Sequence, residues 1–187
     1  MNLEKKLVCL MVVASLFVMS GVIAVTDTGT VSLTITSVTQ VTFTTGTIAF
    51  GTGSVTAGQT SATLDTEGTV TNGGWSAVTA GFVLENTGTE DVSLNIESNK
   101  DAATLIDGAS PSFKWKMSNG EDGSCLGITD TSYTTVTSTS GGKTICSTFY
   151  ADNAKDVLEI DFELVIPSDA PAATDATATI TATATAA

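Results

Sequence analysis

The 187-residue chain contains no histidine, and all 7 of its basic residues are lysines, so arginine is absent as well. Without histidine, the chain cannot build a Ser-His-Asp triad, a Cys-His pair or a His-ligated zinc site. Without arginine, it cannot form the bidentate clamp that holds phosphate or carboxylate groups. The sequence offers no other catalytic constellation, and we therefore predict that the protein is not an enzyme.

Charged residues and prolines are also scarce. Only 14% of the residues are charged, against about a quarter in ordinary soluble domains, and the chain has 3 prolines. Thr, Ser, Ala, Val and Gly fill the gap, and Thr and Val favour strands because a branched Cβ fits a pleated surface. The net charge of −13 repels phosphate backbones. We expect no nucleic acid among the partners.

The N-terminus has the three parts of an export signal. A basic pair, Lys5 and Lys6, precedes an apolar run over residues 7–19, and small residues follow that run. Val22 and Ala24 have the size that signal peptidase requires just before its cleavage site. The pattern predicts cleavage directly after Ala24.

This reading makes residues 1–24 a signal peptide. The alternative is an uncleaved membrane anchor over residues 7–25, which is barely long enough to span a bilayer. With either alternative, we expect residues 25–187 to form a single domain that is extracellular or at the cell surface.

The clearest periodicity in the chain lies in residues 158–167. Apolar residues there alternate with acidic ones, and side chains in a strand point to opposite faces with a period of 2. The pattern predicts a long strand with one buried face. Shorter alternating runs, separated by Gly- and Asn-rich turn signals, precede it. We predict an all-β fold, an antiparallel β-sandwich of jelly-roll or Ig-like type.

Three further segments bear on this fold. Residues 78–84 and 92–96 are alternating runs joined by an Asn/Gly-rich turn, which predicts a β-hairpin or a sandwich corner. Residues 176–187 alternate Thr with Ala and predict a closing strand, with a frayed tail as the alternative. Residues 151–157 give the only hint of a helical turn.

Two cysteines remain beyond the N-terminal segment, Cys125 and Cys146, which are 21 positions apart. Two cysteines in an exported chain most simply form one disulfide. A redox or metal-binding pair is the rival interpretation, but the C-x-x-C spacing is absent. We therefore predict a disulfide that closes a long polar loop or irregular hairpin.

Lysines and acidic residues line the outer faces of two predicted strands. Lys114 and Lys116 lie on one of them, and Glu159, Asp161 and Glu163 lie on the other. Opposite charges on neighbouring strands stabilise a sheet. We predict that the two strands lie side by side in one sheet, with the two rows adjacent.

Aromatic residues are few, and Trp75 is the best candidate for an exposed ring. It follows two glycines at a turn signal, where an indole can stack on a sugar. The simpler interpretation of an aromatic residue is core packing. Trp115 fits that interpretation because Phe113 and Met117 share its predicted face.

Pairs of acidic residues occupy three predicted turns and can bind Ca²⁺ through their oxygen atoms. None has the spaced ligands of an EF-hand loop, and solvated turns are the simpler interpretation. The sequence indicates no other metal and no cofactor. The pairs are Asp65 and Glu67, Glu90 and Asp91, and Glu121 and Asp122.

The order of these signals resembles a known family. Residues 48–53 (IAFGTG) and 83–88 (VLENTG) follow the N-terminal segment, and the chain closes with residues 165–171 (VIPSDAP) and a Thr/Ala strand. This layout resembles secreted β-sandwich surface proteins of archaea and bacteria, especially the TasA/camelysin-like fibre subunits and the archaeal pilus subunits related to them.

The resemblance implies a filament or surface-layer-type subunit that donates an N-terminal strand to the open sheet of a neighbouring copy. Val31, Leu33 and Ile35 alternate with Ser and Thr, which predicts a short strand across residues 25–37. The donor strand would be this one, with these three side chains in the neighbour's pockets. Self-association is then the expected partnership. The alternative is a monomeric adhesion module for a glycan or protein ligand, in which the N-terminal strand folds back into its own sheet.

Overall fold

The structure, a computed structural model, describes residues 32–172 and 176–187. The predicted signal peptide and Val31 lie outside the described residues. The chain divides into two units after Ile35, and the sheets described below belong to the second unit. Within the described ranges, no helix is both long enough and apolar enough to cross a membrane.

The described residues form eleven strands and one short helix, α1. Their bounds in chain order are β1 Thr42–Thr45, β2 Ser61–Asp65, β3 Val70–Thr71, β4 Phe82–Glu85, β5 Val92–Ser98, α1 Ala102–Leu105, β6 Ser112–Asn119, β7 Cys125–Leu126, β8 Thr134–Thr135, β9 Lys143–Phe149, β10 Val157–Pro167 and β11 Ile180–Ala186.

The strands make two sheets, and paired strands within each sheet are antiparallel. The larger sheet has the order β1-β4-β10-β2-β3, with β6 on the other side of β10 and β8 beyond β6. The smaller sheet has the order β11-β5-β9-β7. The prediction of an all-β, antiparallel fold is confirmed.

Strand β10 is the centre of the larger sheet, because three strands pair with it. β6 lies along one side of it, while β4 and β2 share the other side, one at each end. Its apolar row is buried at Leu158, Ile160 and Phe162, whereas Glu159 between them is exposed. The strand ends at Pro167, which has no N–H group for a further ladder bond. The predicted long half-buried strand is confirmed.

One hydrophobic cluster contains buried side chains from both sheets. Each fully buried Leu, Ile or Phe contributes about 1.5–3 kcal/mol relative to an exposed one. The larger sheet contributes Leu84, Phe113, Trp115, Met117, Leu158, Ile160 and Phe162, and the smaller sheet contributes Val92, Leu94, Ile96, Ile145, Cys146 and Phe149. The cluster therefore ties the two sheets to a common core.

The chain passes from one sheet to the other between β4 and β5, so this connection is a corner and not a hairpin. Asn86 is buried there, and its side chain makes three hydrogen bonds to the backbone. Its Nδ2 donates to the carbonyl oxygens of Glu90 and Phe149, both at 3.0 Å, and its Oδ1 accepts the N–H of Gly88 at 3.1 Å. The sequence predicted either a hairpin or a corner here. The structure has the corner, and the buried Asn86 side chain stabilises it.

The C-terminal Thr/Ala segment forms β11, as predicted. It pairs with β5 in an unbroken register from Ile180 opposite Ser98 to Ala186 opposite Val92. Helix α1 was not predicted, because four residues are too few to show a helical period. The predicted helical turn at 151–157 is only a hydrogen-bonded turn, in which Lys155 N–H donates to the Asp152 carbonyl at 2.6 Å.

Candidate interaction site

Residues 32–40 are exposed, and they carry no strand before β1 begins at Thr42. Leu33 is 81% exposed and Ile35 is 83% exposed, which is unusual for large apolar side chains. The short strand predicted across residues 25–37 is therefore not formed in its described part, because residues 32–37 pair with none of the described strands. The predicted donor role of Val31, Leu33 and Ile35 stays a prediction.

The segment just beyond these residues is fixed to the corner between β4 and β5. Gly88 N–H donates to the Gln40 carbonyl at 3.1 Å, and Thr89 N–H donates to the Val38 carbonyl at 2.8 Å. In return, Val38 N–H donates to Thr89 Oγ1 at 2.9 Å. A Cβ atom at Gly88 would collide with the Val38 carbonyl oxygen, so this approach requires glycine.

The predicted disulfide is present. Cys125 in β7 and Cys146 in β9 are bonded, with their Cα atoms 5.6 Å apart. Closing a loop of 21 positions stabilises a fold by about 3 kcal/mol in the chain-entropy model. The loop is more structured than predicted, since it holds β8 and the buried Val136. A structural disulfide is typical of an oxidising, extracellular-type environment.

The predicted pairing of lysines with acidic residues is confirmed on the outer face of the larger sheet. Lys114 lies opposite Glu163 with 2.7 Å between Nζ and Oε1. Lys116 lies opposite Asp161 with 3.9 Å between Nζ and Oδ2. The third acidic residue, Glu159, faces Ser118 instead of a lysine.

Two residues that the sequence did not link to this row complete it. Glu67, from the turn between β2 and β3, places Oε1 2.6 Å from Lys116 Nζ. Tyr133 donates its hydroxyl to Glu67 Oε2 at 3.1 Å, and Lys116 Nζ lies 5.1 Å from the centre of its ring. Partial burial and the Glu67 carboxylate raise the pKa of Tyr133. The charges satisfy one another, which favours a structural role for this face.

Trp75 is half-buried, and its ring lies against glycine backbone. A Cβ atom at Gly53 or at Gly73 would overlap the indole, so only glycine at these two positions leaves space for the ring. The Gly-rich turn that suggested an exposed ring instead accommodates a packed one. Sugar stacking by Trp75 stays a prediction, and the other tryptophan, Trp115, is buried as expected and donates Nε1–H to Asp130 at 3.0 Å.

The acidic turns are used by the fold itself. Asp65 accepts the N–H groups of Glu67 at 2.9 Å and of Thr69 at 2.7 Å, which closes its own turn. Glu121 accepts the N–H of Asp156 at 3.0 Å. Burial, followed by the nearby Glu121 and Glu85 carboxylates, raises the pKa of Asp156. Within residues 32–172 and 176–187, no three acidic, His or Cys residues are grouped to hold a metal ion.

Comparison with known proteins adds no relative to this picture. No protein-family model, no curated protein and no solved structure matches the chain. The candidate site is therefore defined by the described residues alone. It is the exposed apolar alternation at Leu33 and Ile35.

Proposed function

We propose that the protein is an exported structural subunit of a filament or surface layer, assembled by addition of its N-terminal strand to another copy. The observation that carries the proposal is the exposure of Leu33 and Ile35. They alternate with Thr and Ser as strand residues do, yet they have no strand partner among the described residues. A neighbouring sheet supplies what such a segment lacks.

The proposal includes a β-sandwich for the second unit, of the jelly-roll-like kind that the family resemblance implies. It is supported by the two antiparallel sheets and by the hydrophobic cluster to which both contribute. The disulfide supports export to an oxidising compartment. The paired charges on the outer face and the absence of histidine support a scaffold over an enzyme.

Strand addition is favourable for this segment on energetic grounds. Burying two side chains the size of Leu33 and Ile35 contributes about 1.5–3 kcal/mol each, and the added backbone makes ladder hydrogen bonds. Association costs translational and rotational freedom, so the net free energy gained from one donor-strand contact between two copies is modest. A head-to-tail contact that does not close repeats along a filament, where each copy is held at two joints.

The test replaces the two exposed apolar residues. Protein recovered after export is concentrated and followed by light scattering and electron microscopy. We expect the unaltered protein to elongate and the Leu33→Asp/Ile35→Asp variant to stay monomeric with an unchanged melting temperature, because both side chains are largely exposed.

The matched control is Ser32→Asn/Thr34→Asn, which places uncharged side chains of the same size as Asp on the opposite face of the segment. It should keep most of the elongation. Unaltered protein that stays monomeric at every concentration would overturn the proposal and favour a monomeric adhesion module.

A further inference from the structure

The outer strands of the two sheets differ sharply in length. Four of them are short: β3, β7 and β8 have 2 residues each, and β1 has 4 residues with a register shift between Phe43 and Thr45. Short and bulged edges are common protections against pairing with other chains. The remaining outer strand, β11, has 7 residues in regular register with β5. Among the described outer strands, β11 alone is both long and regular.

The edge of β11 also lacks the charges that protect natural edge strands. Its sequence is ITATATA, with no charged residue and no proline. Its Thr side chains are exposed, from Thr181 to Thr185. In a protein with a net charge of −13, this margin can approach a second copy without bringing carboxylates together.

The core is thin under β11. Ile180, Ala182 and Ala184 point to the hydrophobic cluster but are only half-buried, whereas their neighbours on β5, such as Leu94 and Ile96, are completely buried. Alanine methyl groups are too short to cover the cluster at this margin. A further strand beside β11 with larger apolar residues would cover more of the hydrophobic cluster.

We propose that the open edge of β11 is the acceptor for residues 32–37 of a second copy. This inference rests on the proposed function, and it adds the site at which the strand is received. Leu33 and Ile35 would lie beside the half-buried alanines, while Thr34 and Thr36 would continue the exposed threonine face of β11. The lengths agree, since the segment has six residues and β11 has 7.

Charge supports this choice of occupant over an unrelated partner. Residues 28–64 contain no charged side chain, and neither do residues 176–187. The donor and the acceptor are thus both uncharged segments of one strongly acidic chain. A joint between them avoids the repulsion that other contacts between copies would meet.

A cross-linking experiment tests the placement. Thr34→Cys protein and Thr183→Cys protein, each recovered after export, are mixed, and a short bismaleimide is added during elongation. Thr34 is in the donor segment, and Thr183 is at the middle of β11. We expect cross-linked dimers from this mixture, identified by mass spectrometry of the joined peptides.

Control mixtures place the acceptor cysteine on three of the other outer strands, at Thr44 in β1, Thr71 in β3 and Thr135 in β8, all of which are exposed. We expect at most about a tenth of the cross-linking yield from these, because cross-linking at that length requires neighbouring strands. If the unaltered protein elongates but Thr34→Cys joins one of these strands instead, the acceptor inference is overturned while strand addition stands. If the unaltered protein does not elongate, the proposed function itself is overturned.

A second variant keeps the inference testable if the cysteines disturb assembly. Thr183→Glu/Thr185→Glu places two carboxylates on the exposed face of β11, opposite the uncharged Asn95 and Ser93 of β5, and we expect it to lower the elongation rate about tenfold or more with an unchanged melting temperature. Thr71→Glu/Thr135→Glu, with the same charge on two of the other outer strands, should elongate like the unaltered protein. Equal rates for the two variants would overturn the assignment of β11.

Discussion

At the scale of single residues, a few polar side chains decide where the chain turns. Asn86 is the clearest case, because a buried amide that satisfies three backbone groups fixes the corner between the two sheets. Gly88 follows it and admits the backbone of Val38 and Gln40. The turn that joins the two sheets therefore also fixes the backbone that directly follows residues 32–37.

Replacing Asn86 by Ala should destabilise the fold by about 2–3 kcal/mol, since a buried carbonyl, that of Phe149, loses its donor. Urea denaturation followed by tryptophan fluorescence measures the change. The control is Asn153→Ala at an exposed position, which should stay within about 0.5 kcal/mol. Similar midpoints for the two variants would contradict the structural role given to the corner.

At the scale of elements, periodicity made the longest strand predictable and charge made its neighbour predictable. β10 shows five alternating apolar residues, and the lysines of β6 identify it as the adjacent strand. The two-residue strands β3, β7 and β8 carry no period of their own, so only tertiary pairing defines them. The alternation of apolar residues around Leu33 and Ile35 was visible in the sequence, but the lack of a strand partner for residues 32–37 within the described part of the chain was not.

The pairing of β6 with β10 gives a prediction at this scale. A double-mutant cycle that replaces Lys114 and Glu163 by Ala, singly and together, should give a coupling energy of about 0.5 kcal/mol, because both side chains are partly exposed. Urea denaturation of the four proteins measures it, and 1 M salt should reduce it. The matched control is the Lys114 and Glu159 cycle, which should show no coupling, since Glu159 faces Ser118. Equal coupling in the two cycles would contradict the register.

At the scale of the whole molecule, assembly must work against charge. The chain carries 20 acidic and 7 basic residues, and none of the acidic ones lies within the two segments that we propose to join. Repulsion between copies then acts mainly through the rest of the surface. Such repulsion falls steeply with ionic strength, because the screening length is about 10 Å at 0.1 M salt and about 3 Å at 1 M.

Elongation should therefore become faster as salt rises from low to physiological concentrations, which is opposite to the behaviour of a joint made by ion pairs. Light scattering at a fixed protein concentration measures the rate across a sodium chloride series. The Leu33→Asp/Ile35→Asp variant separates this effect from salting-out, since it should stay monomeric throughout the series. A rate that falls with salt would show that charged contacts hold the copies together, and that outcome would contradict a joint between two uncharged strands.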